Sequence, residues 1–560
     1  MEQKGWWRQA LRTGRHTVIL RTERLLETRK GFLPAADNSA SQSYYLGDPW
    51  KYYLRYRFLY QRRISVGITA EKDPGEEFFK GSQKSFDFYS AHLTLRDLGI
   101  IKTFAMGDYS LSYGQGLLLW TGLAFGKTPE VMMIKKNPAG IQPYTSVNES
   151  AFKRGMAVSL GKGPFTADVF FSSLKKDGTL ADTVTQPETF TSFFVSGFHR
   201  SLNELKKKHA IAEQFLGGHL QYSIRRFTLG ATMVHTAFDK SLMPEPLPYN
   251  RFYFRGKELT VAGADYRMLW GNISFFGEFA RSDNGALAYL NGMIMAPDAK
   301  VSLALLNRHF PWNYHCFTAN PFREGSQTMN ESGTYFGLMI KPERRVILSA
   351  YYDMFTFPWL RYQVHSPSEG YEYMLQIRFV PEKKISMYGR YRFQSKPYNA
   401  SGNVTPVDVP VEVLQKNYRY DLVAKVSRAF TLHSRMEYIR YSKADEEPEN
   451  GFLILQDIIY KPAGGPVSFS LRYAHFDTRS YDSRIYAYEN DILYVYSIPA
   501  HYYRGSRYYL TLRIRINKNL DMWARYASWL YTNRKTIGTG QDEIEGNRKS
   551  DIKLQIRFQF

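Results

Sequence analysis

Residues 551–560, the last ten of the chain, read DIKLQIRFQF. Ile552, Leu554, Ile556, Phe558 and Phe560 share one parity, while Asp551, Lys553, Gln555, Arg557 and Gln559 share the other. Successive side chains of a β-strand point to opposite faces, so this segment is a strand with one apolar and one polar face.

The same sidedness recurs far upstream. Tyr52, Leu54, Tyr56, Phe58 and Tyr60 oppose Lys51, Arg55 and Arg57, and after a step at Gln61-Arg62 short enough for a hairpin, Ile64, Val66, Ile68 and Ala70 oppose Ser65, Gly67, Thr69 and Glu71. Tyr89, Ala91, Leu93 and Leu95 against Ser90, His92, Thr94 and Arg96 repeat the pattern, as do Tyr373–Phe379 and residues 510–516. Segments of about ten residues, apolar on one face and polar on the other, are the signature of a transmembrane barrel. In hydrocarbon an unpaired backbone amide costs several kcal/mol, so a sheet can span only by closing on itself. At about 22 to 28 residues per strand plus connection, the expectation is roughly 20 to 26 strands, even in number. The fold read from sequence is therefore all-β, a large closed antiparallel transmembrane barrel over residues 49–560. An N-terminal segment, 1–48, precedes it, and residues 15–27 can supply first strands. Connections are short and turn-rich; the exception, 198–217, has helix-forming composition and reads as a helical loop or plug element. A closing strand ending in Phe558 and Phe560 resembles the signal that presents barrels to their insertion machinery.

No stretch approaches the roughly 18 apolar residues of a membrane-spanning helix, which excludes a helical membrane protein. Aromatic residues reach 16% of the chain, suiting strands and membrane interfaces, and Trp50, Tyr52, Tyr53, Tyr502, Tyr503 and Trp523 are candidate girdle positions. The net charge of +22 favours anionic partners: lipopolysaccharide and other acidic headgroups, anionic solutes, or DNA. The polar parity aims Arg55, Arg57, Arg96, Arg378, Arg390, Arg392, Arg513, Arg515 and Arg557 at an aqueous lumen. Rings of cations favour anions in a pore. The competing reading pairs them with inward acids such as Glu71 and Asp551 and gives them a purely structural role.

Cys316 is alone, which excludes an internal disulfide and a cysteine-based metal site. The run YGQGL lacks the spacing of a phosphate loop, so Gly114 and Gly116 are expected to permit a bulge or tight strand bend. No metal-binding or nucleophile-elbow pattern is present among the dispersed histidines, and neither cofactor nor catalysis is expected. The alternative, a hydrolase at the rim, would use Ser326 with His315, or Glu331 with Arg323.

Residues 107–127 read GDYSLSYGQGLLLWTGLAFGK, followed by GIQPYTSVNESAFKRG from Gly140. These stretches resemble a family of Bacteroidetes envelope proteins named for an amino-terminal helix-hairpin-helix domain. The shared positions here are Gly107, Asp108, Tyr109, Tyr113, Gly114, Gln115, Gly116, Leu117, Trp120, Gly126, Lys127, Gly140, Ile141, Pro143, Tyr144, Glu149, Arg154 and Gly155, with similar pieces near Gly197, Tyr266 and Asn320. The resemblance implies an envelope barrel and, through the domain's name, a link to DNA uptake. The helix-hairpin-helix portion is not seen before the strands in this sequence; either it lies upstream of Met1 or this member lacks it, and the link to DNA is weakened accordingly.

The opening, MEQKGWWRQAL, has no apolar core and no small-residue cleavage site, so export would require a signal upstream of it. The functional expectation is an outer-membrane pore or envelope-complex component with a basic lumen. Its partners would be outer-membrane lipid, lipopolysaccharide, the insertion machinery and other envelope proteins. A non-conducting assembly partner is the alternative.

Overall fold

The structure, a computed structural model, describes residues 6–34, 43–81, 85–124, 126–181, 188–402, 407–444 and 446–560. Part of the N-terminal segment read from sequence, 1–5 and 35–42, lies outside them.

The barrel has 24 antiparallel strands, each paired with its neighbour in sequence. Closure occurs between Arg15–Leu25 and Arg548–Gln559, in a register that sets Val18 opposite Phe558 and Leu20 opposite Ile556. Phe560 completes the seam by exchanging backbone hydrogen bonds with His16 at 2.8 and 3.1 Å, and its ring stacks on His16 at 4.9 Å. The barrel thus begins at Arg15, inside the segment set apart from it in the sequence reading.

The molecule is inside-out. Leu375, Ile377 and Ile556 stand 54%, 59% and 39% exposed on the outer wall, whereas Arg308, Arg472 and Lys72 are among the largest fully buried side chains. An apolar exterior around satisfied backbone is the solution that hydrocarbon imposes, and it makes this an integral outer-membrane protein. No described helix is long and apolar enough to cross a membrane. Short turns such as Ile224–Phe227 gather at one mouth and long loops at the other, the arrangement in which short turns face the periplasm.

Three local expectations are corrected. The helix over 198–217 is confined to Leu202–Leu205, capped by Ser201, because the strand Ile211–Ile224 claims the remainder for wall pairing. Trp523 and Tyr53 are buried on the inner face, where the guanidinium groups of Arg513 and Arg557 lie over the indole and Arg21 covers the tyrosine ring. Outward rings instead run as a ladder through Tyr373 and Phe393, 5.1 Å apart, and through Tyr391, Tyr418 and Tyr438, spaced 4.8 and 6.0 Å. Thirdly, the inner wall is not polar throughout. Phe170, Phe215, Val234, Val261, Phe276 and Leu306 point inward and are buried, so these strands are apolar on both faces.

Candidate functional site: a plugged lumen and its chamber

That apolar inner wall exists because two loops fold back into the barrel. One follows the strand Ile101–Ser112, the other follows Val301–Phe310. Leu117, Leu118 and Leu119 of the first are wholly buried, and the loops hold one another: Trp120 N–H donates to the Thr318 carbonyl, Asn320 N–H to the Gly116 carbonyl, and the Tyr314 hydroxyl to the Leu117 carbonyl.

Glu278, on the strand Ile273–Ser282, anchors this plug. Its carboxylate accepts backbone N–H groups from Gln115 (2.5 Å), Leu117 (3.0 Å) and Leu118 (2.9 Å). Wrapping a chain that tightly around one carboxylate requires left-handed backbone, supplied by Gly114 at φ 56° and Gly116 at φ 80°. A Cβ at Gly114 would come within 2.5 Å of the Glu278 carboxylate, and one at Gly116 within 2.9 Å of the Asn320 carbonyl oxygen. The two glycines therefore serve an intraluminal turn beyond the strand end rather than a strand bulge.

Other positions of the motif bear on the same assembly. The Tyr113 hydroxyl donates to Asp168 and its ring stacks on His219 at 4.3 Å, while the Tyr109 hydroxyl donates to the Phe171 carbonyl. Lys127 reaches into a carboxylate triad, Glu324, Asp353 and Glu372, at 2.6, 3.1 and 3.0 Å. Asp108 and Arg154 form a two-point ion pair across adjacent strands. Gly140–Pro143 adds a short strand against 109–112, and the hydroxyl of Tyr144 donates to the Asn148 carbonyl at the loop that follows. Gly107 lies on the strand directly opposite Gly155.

Glu149 belongs to a separate cluster on the long-loop side. His199, buried, donates from Nδ1 to Asp87 (2.5 Å) and from Nε2 to Asp177 (2.7 Å), while its backbone N–H donates to Glu76. Burial opposes a charge on this ring, but the hydrogen bonds to Asp177 and Asp87 outweigh it and hold its pKa up at about 10. Burial, reinforced by Asp87, pushes Glu149 up to about 9. Glu76, Asp87 and His199, or Glu149, Asp177 and His199, bring ligand atoms within 4.8 Å of one another, but both ring nitrogens already serve as donors, and the arrangement acts as a latch across three of the long loops.

A third inserted segment lies between the strands Val467–Thr478 and Arg504–Arg515. Glu489 binds Arg507 at 3.0 Å and Arg525 at 2.5 Å, Asp491 binds Lys553 at 2.8 Å, and the Tyr494 ring lies under Arg55. The wall supplies its own acids elsewhere: Arg308 sits between Glu331 and Asp353 at 2.6 and 2.7 Å, with all three fully buried.

The nine arginines expected in the lumen therefore divide. Arg392 pairs with Glu372; Arg513, Arg515 and Arg557 converge on Asp521. Arg96 binds Gln142, Arg378 stands exposed near the short-turn mouth beside Ser386, and Arg57 is half-buried next to Arg55. Glu71 and Asp551 are paired, but with Lys51 and with Arg525 and Arg507. Arg390 faces open space; among the described residues its hydrogen bonds go to the Gln376 side-chain oxygen, at 2.9 and 2.8 Å, and its guanidinium lies over the Tyr388 ring at 5.0 Å.

That space is a chamber of about 880 Å³ bounded by Arg390, Arg392, Arg419, Tyr398, Tyr441 and Tyr486. A second cavity, about 710 Å³, opens among Tyr249, Tyr253, Phe254 and Phe317 and contains both His315 and Ser326. There His315 Nε2 meets the Phe252 carbonyl oxygen, and Glu331 is engaged by Arg308 rather than Arg323. Sequence reasoning missed Glu278, Glu489 and Asp491; the only available signal was a carboxylate at an inward position of an otherwise apolar strand, as in Ile273–Ser282.

No protein-family model and no curated protein matches the chain. Among solved structures it is similar to a ferric enterobactin receptor (PfeA) mutant from Pseudomonas aeruginosa, 10% identical over 97% of this chain and 80% of the receptor, with a TM-score of 0.45. The siderophore receptor PirA from Acinetobacter baumannii is 8% identical over 98% of this chain and 80% of its own, at 0.45. The copper transporter OprC is 8% identical over 97% and 82%, also at 0.45. Ligand and mechanism must come from this chain's own residues.

Proposed function

We propose that this outer-membrane barrel captures a small anionic solute in the chamber around Arg390 and that passage requires the inserted loops to move. The observation that carries this reading is the Arg390 guanidinium, which faces about 880 Å³ of open volume and, among the described residues, forms no ion pair with a carboxylate, in a lumen where most other cations are matched. Tyrosines around it supply hydroxyl donors and flat apolar area, the mixture that favours a compact organic anion over a bare halide. Duplex DNA would require the lumen, filled by the inserted loops, to be emptied first.

The test is planar-bilayer recording with citrate as the probe. Wild-type channels are expected to show small anion-selective currents that citrate blocks. Arg390→Gln should weaken the block at least about tenfold, the worth of one charge-assisted hydrogen bond, while the variant remains a folded barrel on unboiled gels. Equal block in both proteins would overturn the reading. The filled lumen also supports a second reading, a non-conducting partner of other envelope proteins, which a barrel silent at every voltage and indifferent to citrate would favour.

A further inference from the structure

The excess positive charge is concentrated at one mouth. Several cations on the long-loop side are matched: Arg29 and Arg200 by Asp542, Lys208 by Asp87, Arg479 by Glu447. At the short-turn mouth, hairpins turn through adjacent exposed cations, Arg225-Arg226, Arg344-Arg345 and Lys383-Lys384, and among the described residues none of these six has an ion-pair partner. Neighbouring like charges in a two-residue turn repel, and such turns ordinarily use Gly, Asn or Asp. Arg225 even holds φ 48°, a left-handed conformation uncommon for a long side chain. Cations retained at such sites call for countercharge from outside the chain.

The position of the turns identifies its source. Two of the three pairs sit at the end of strands whose last outward residues are exposed and apolar: Ile224 and Phe227 flank Arg225-Arg226, and Phe379 precedes Lys383-Lys384. At the neighbouring turns Trp270 and Val426 are 71% and 65% exposed. Apolar side chains at the edge of the lipid belt with cations immediately beyond them place those cations at headgroup level, where Lys and Arg extend from the acyl region into the interface. A soluble acidic protein approaching the pore mouth would meet no such apolar collar.

We propose that the short-turn rim is a binding surface for anionic phospholipid headgroups of the periplasmic leaflet. Phosphodiesters bridge the paired cations, relieve their mutual repulsion and fix the depth and tilt of the barrel. The inference is independent of what the chamber binds.

Native mass spectrometry of the detergent-purified full chain, equilibrated with equal amounts of phosphatidylglycerol and phosphatidylcholine, tests it. The intact protein should retain phosphatidylglycerol at least about fivefold over phosphatidylcholine, the factor that one cation near an anionic surface supplies. R225Q/R226Q/R344Q/R345Q/K383Q/K384Q should lose that preference while still migrating as a folded barrel, and a control that removes long-loop cations, R479Q/R504Q, should keep it. Equal retention of the two lipids by the wild type, or an undiminished preference in the six-site variant, would overturn the proposal. So would a six-site variant that loses binding to an acidic polypeptide probe but retains its lipid preference.

Discussion

Glu278 is the residue on which the closed lumen depends most. Hydrogen bonds to a charged group are worth about 1.5–3 kcal/mol each, and three backbone donors converge on this one carboxylate. Glu278→Gln keeps the shape and removes the charge, so the first loop should detach more often while the wall persists. Bilayer recordings are expected to show frequent large openings absent from the wild type, and unchanged gating would refute this role. His199 gives a pH prediction of definite sign. Its folded-state pKa of about 10 lies above the ordinary 6.5, so its contribution to the loop latch is complete below about 6.5 and disappears as pH rises toward 10. Glu149, raised to about 9, acts in the same direction, because ionising it in place is costlier than ionising it in an unfolded chain. Limited proteolysis of the long loops should therefore accelerate between pH 7 and 10. In His199→Gln, cleavage should already be fast at pH 7, with a flatter profile. These residue-level roles were largely illegible in sequence: Glu149 was singled out by resemblance, yet nothing in its neighbourhood announced Asp87, Asp177 or His199, which arrive from two other loops.

At the scale of elements, alternation revealed the strands and concealed the plug. DIKLQIRFQF and FYSAHLTL alternate because one side meets lipid and the other water, and the structure places Tyr89, Leu554 and Ile556 outward as the parity requires. Where the inner face meets protein instead, as along Ile273–Ser282, the alternation is lost, and it is there that the motif GDYSLSYGQGLLLW finds its partner. The glycines of that motif were legible as conformational necessities but were assigned to a strand, because periodicity cannot show that a loop turns inward. Replacing residues 113–139 with a short Gly-Ser linker should convert the closed barrel into a wide, weakly selective channel, since a barrel of this strand number encloses an aqueous passage unless it is filled. Persistence of small currents would show that the two remaining inserted segments, one after Val301–Phe310 and one carrying Glu489, seal the lumen without it, and the effect of removing Glu489 can be tested separately. Glu489→Gln removes the nearer of the two carboxylates that Arg507 and Arg525 share, a loss of up to about 3–5 kcal/mol for a buried pair. The temperature at which the barrel loses its compact gel mobility should fall accordingly.

For the whole molecule, closure, lipid-facing apolar surface and charge distribution are one problem. A sheet in hydrocarbon must close, closure creates an interior, and the interior here is filled by acids and cations in near balance, so the net +22 is expressed chiefly at the exposed short turns. Composition announced the charge without its location, because a formal sum does not distinguish Arg308 between two carboxylates from Arg225 in a bare hairpin. The claim beneath all of this is that the parity of the closing strand divides lipid from lumen. With Cys316 replaced by Ser, nitroxide labels placed singly from residue 551 to 559 in bilayer-embedded protein would measure it through collision with oxygen, which partitions into acyl chains, and with a water-soluble nickel chelate. Labels at 552, 554, 556 and 558 should show high oxygen and low nickel accessibility, and those at 553, 555 and 557 should lose the oxygen signal, giving a strict two-residue period. Uniform access to the nickel chelate, or accessibility without that alternation, would contradict the barrel.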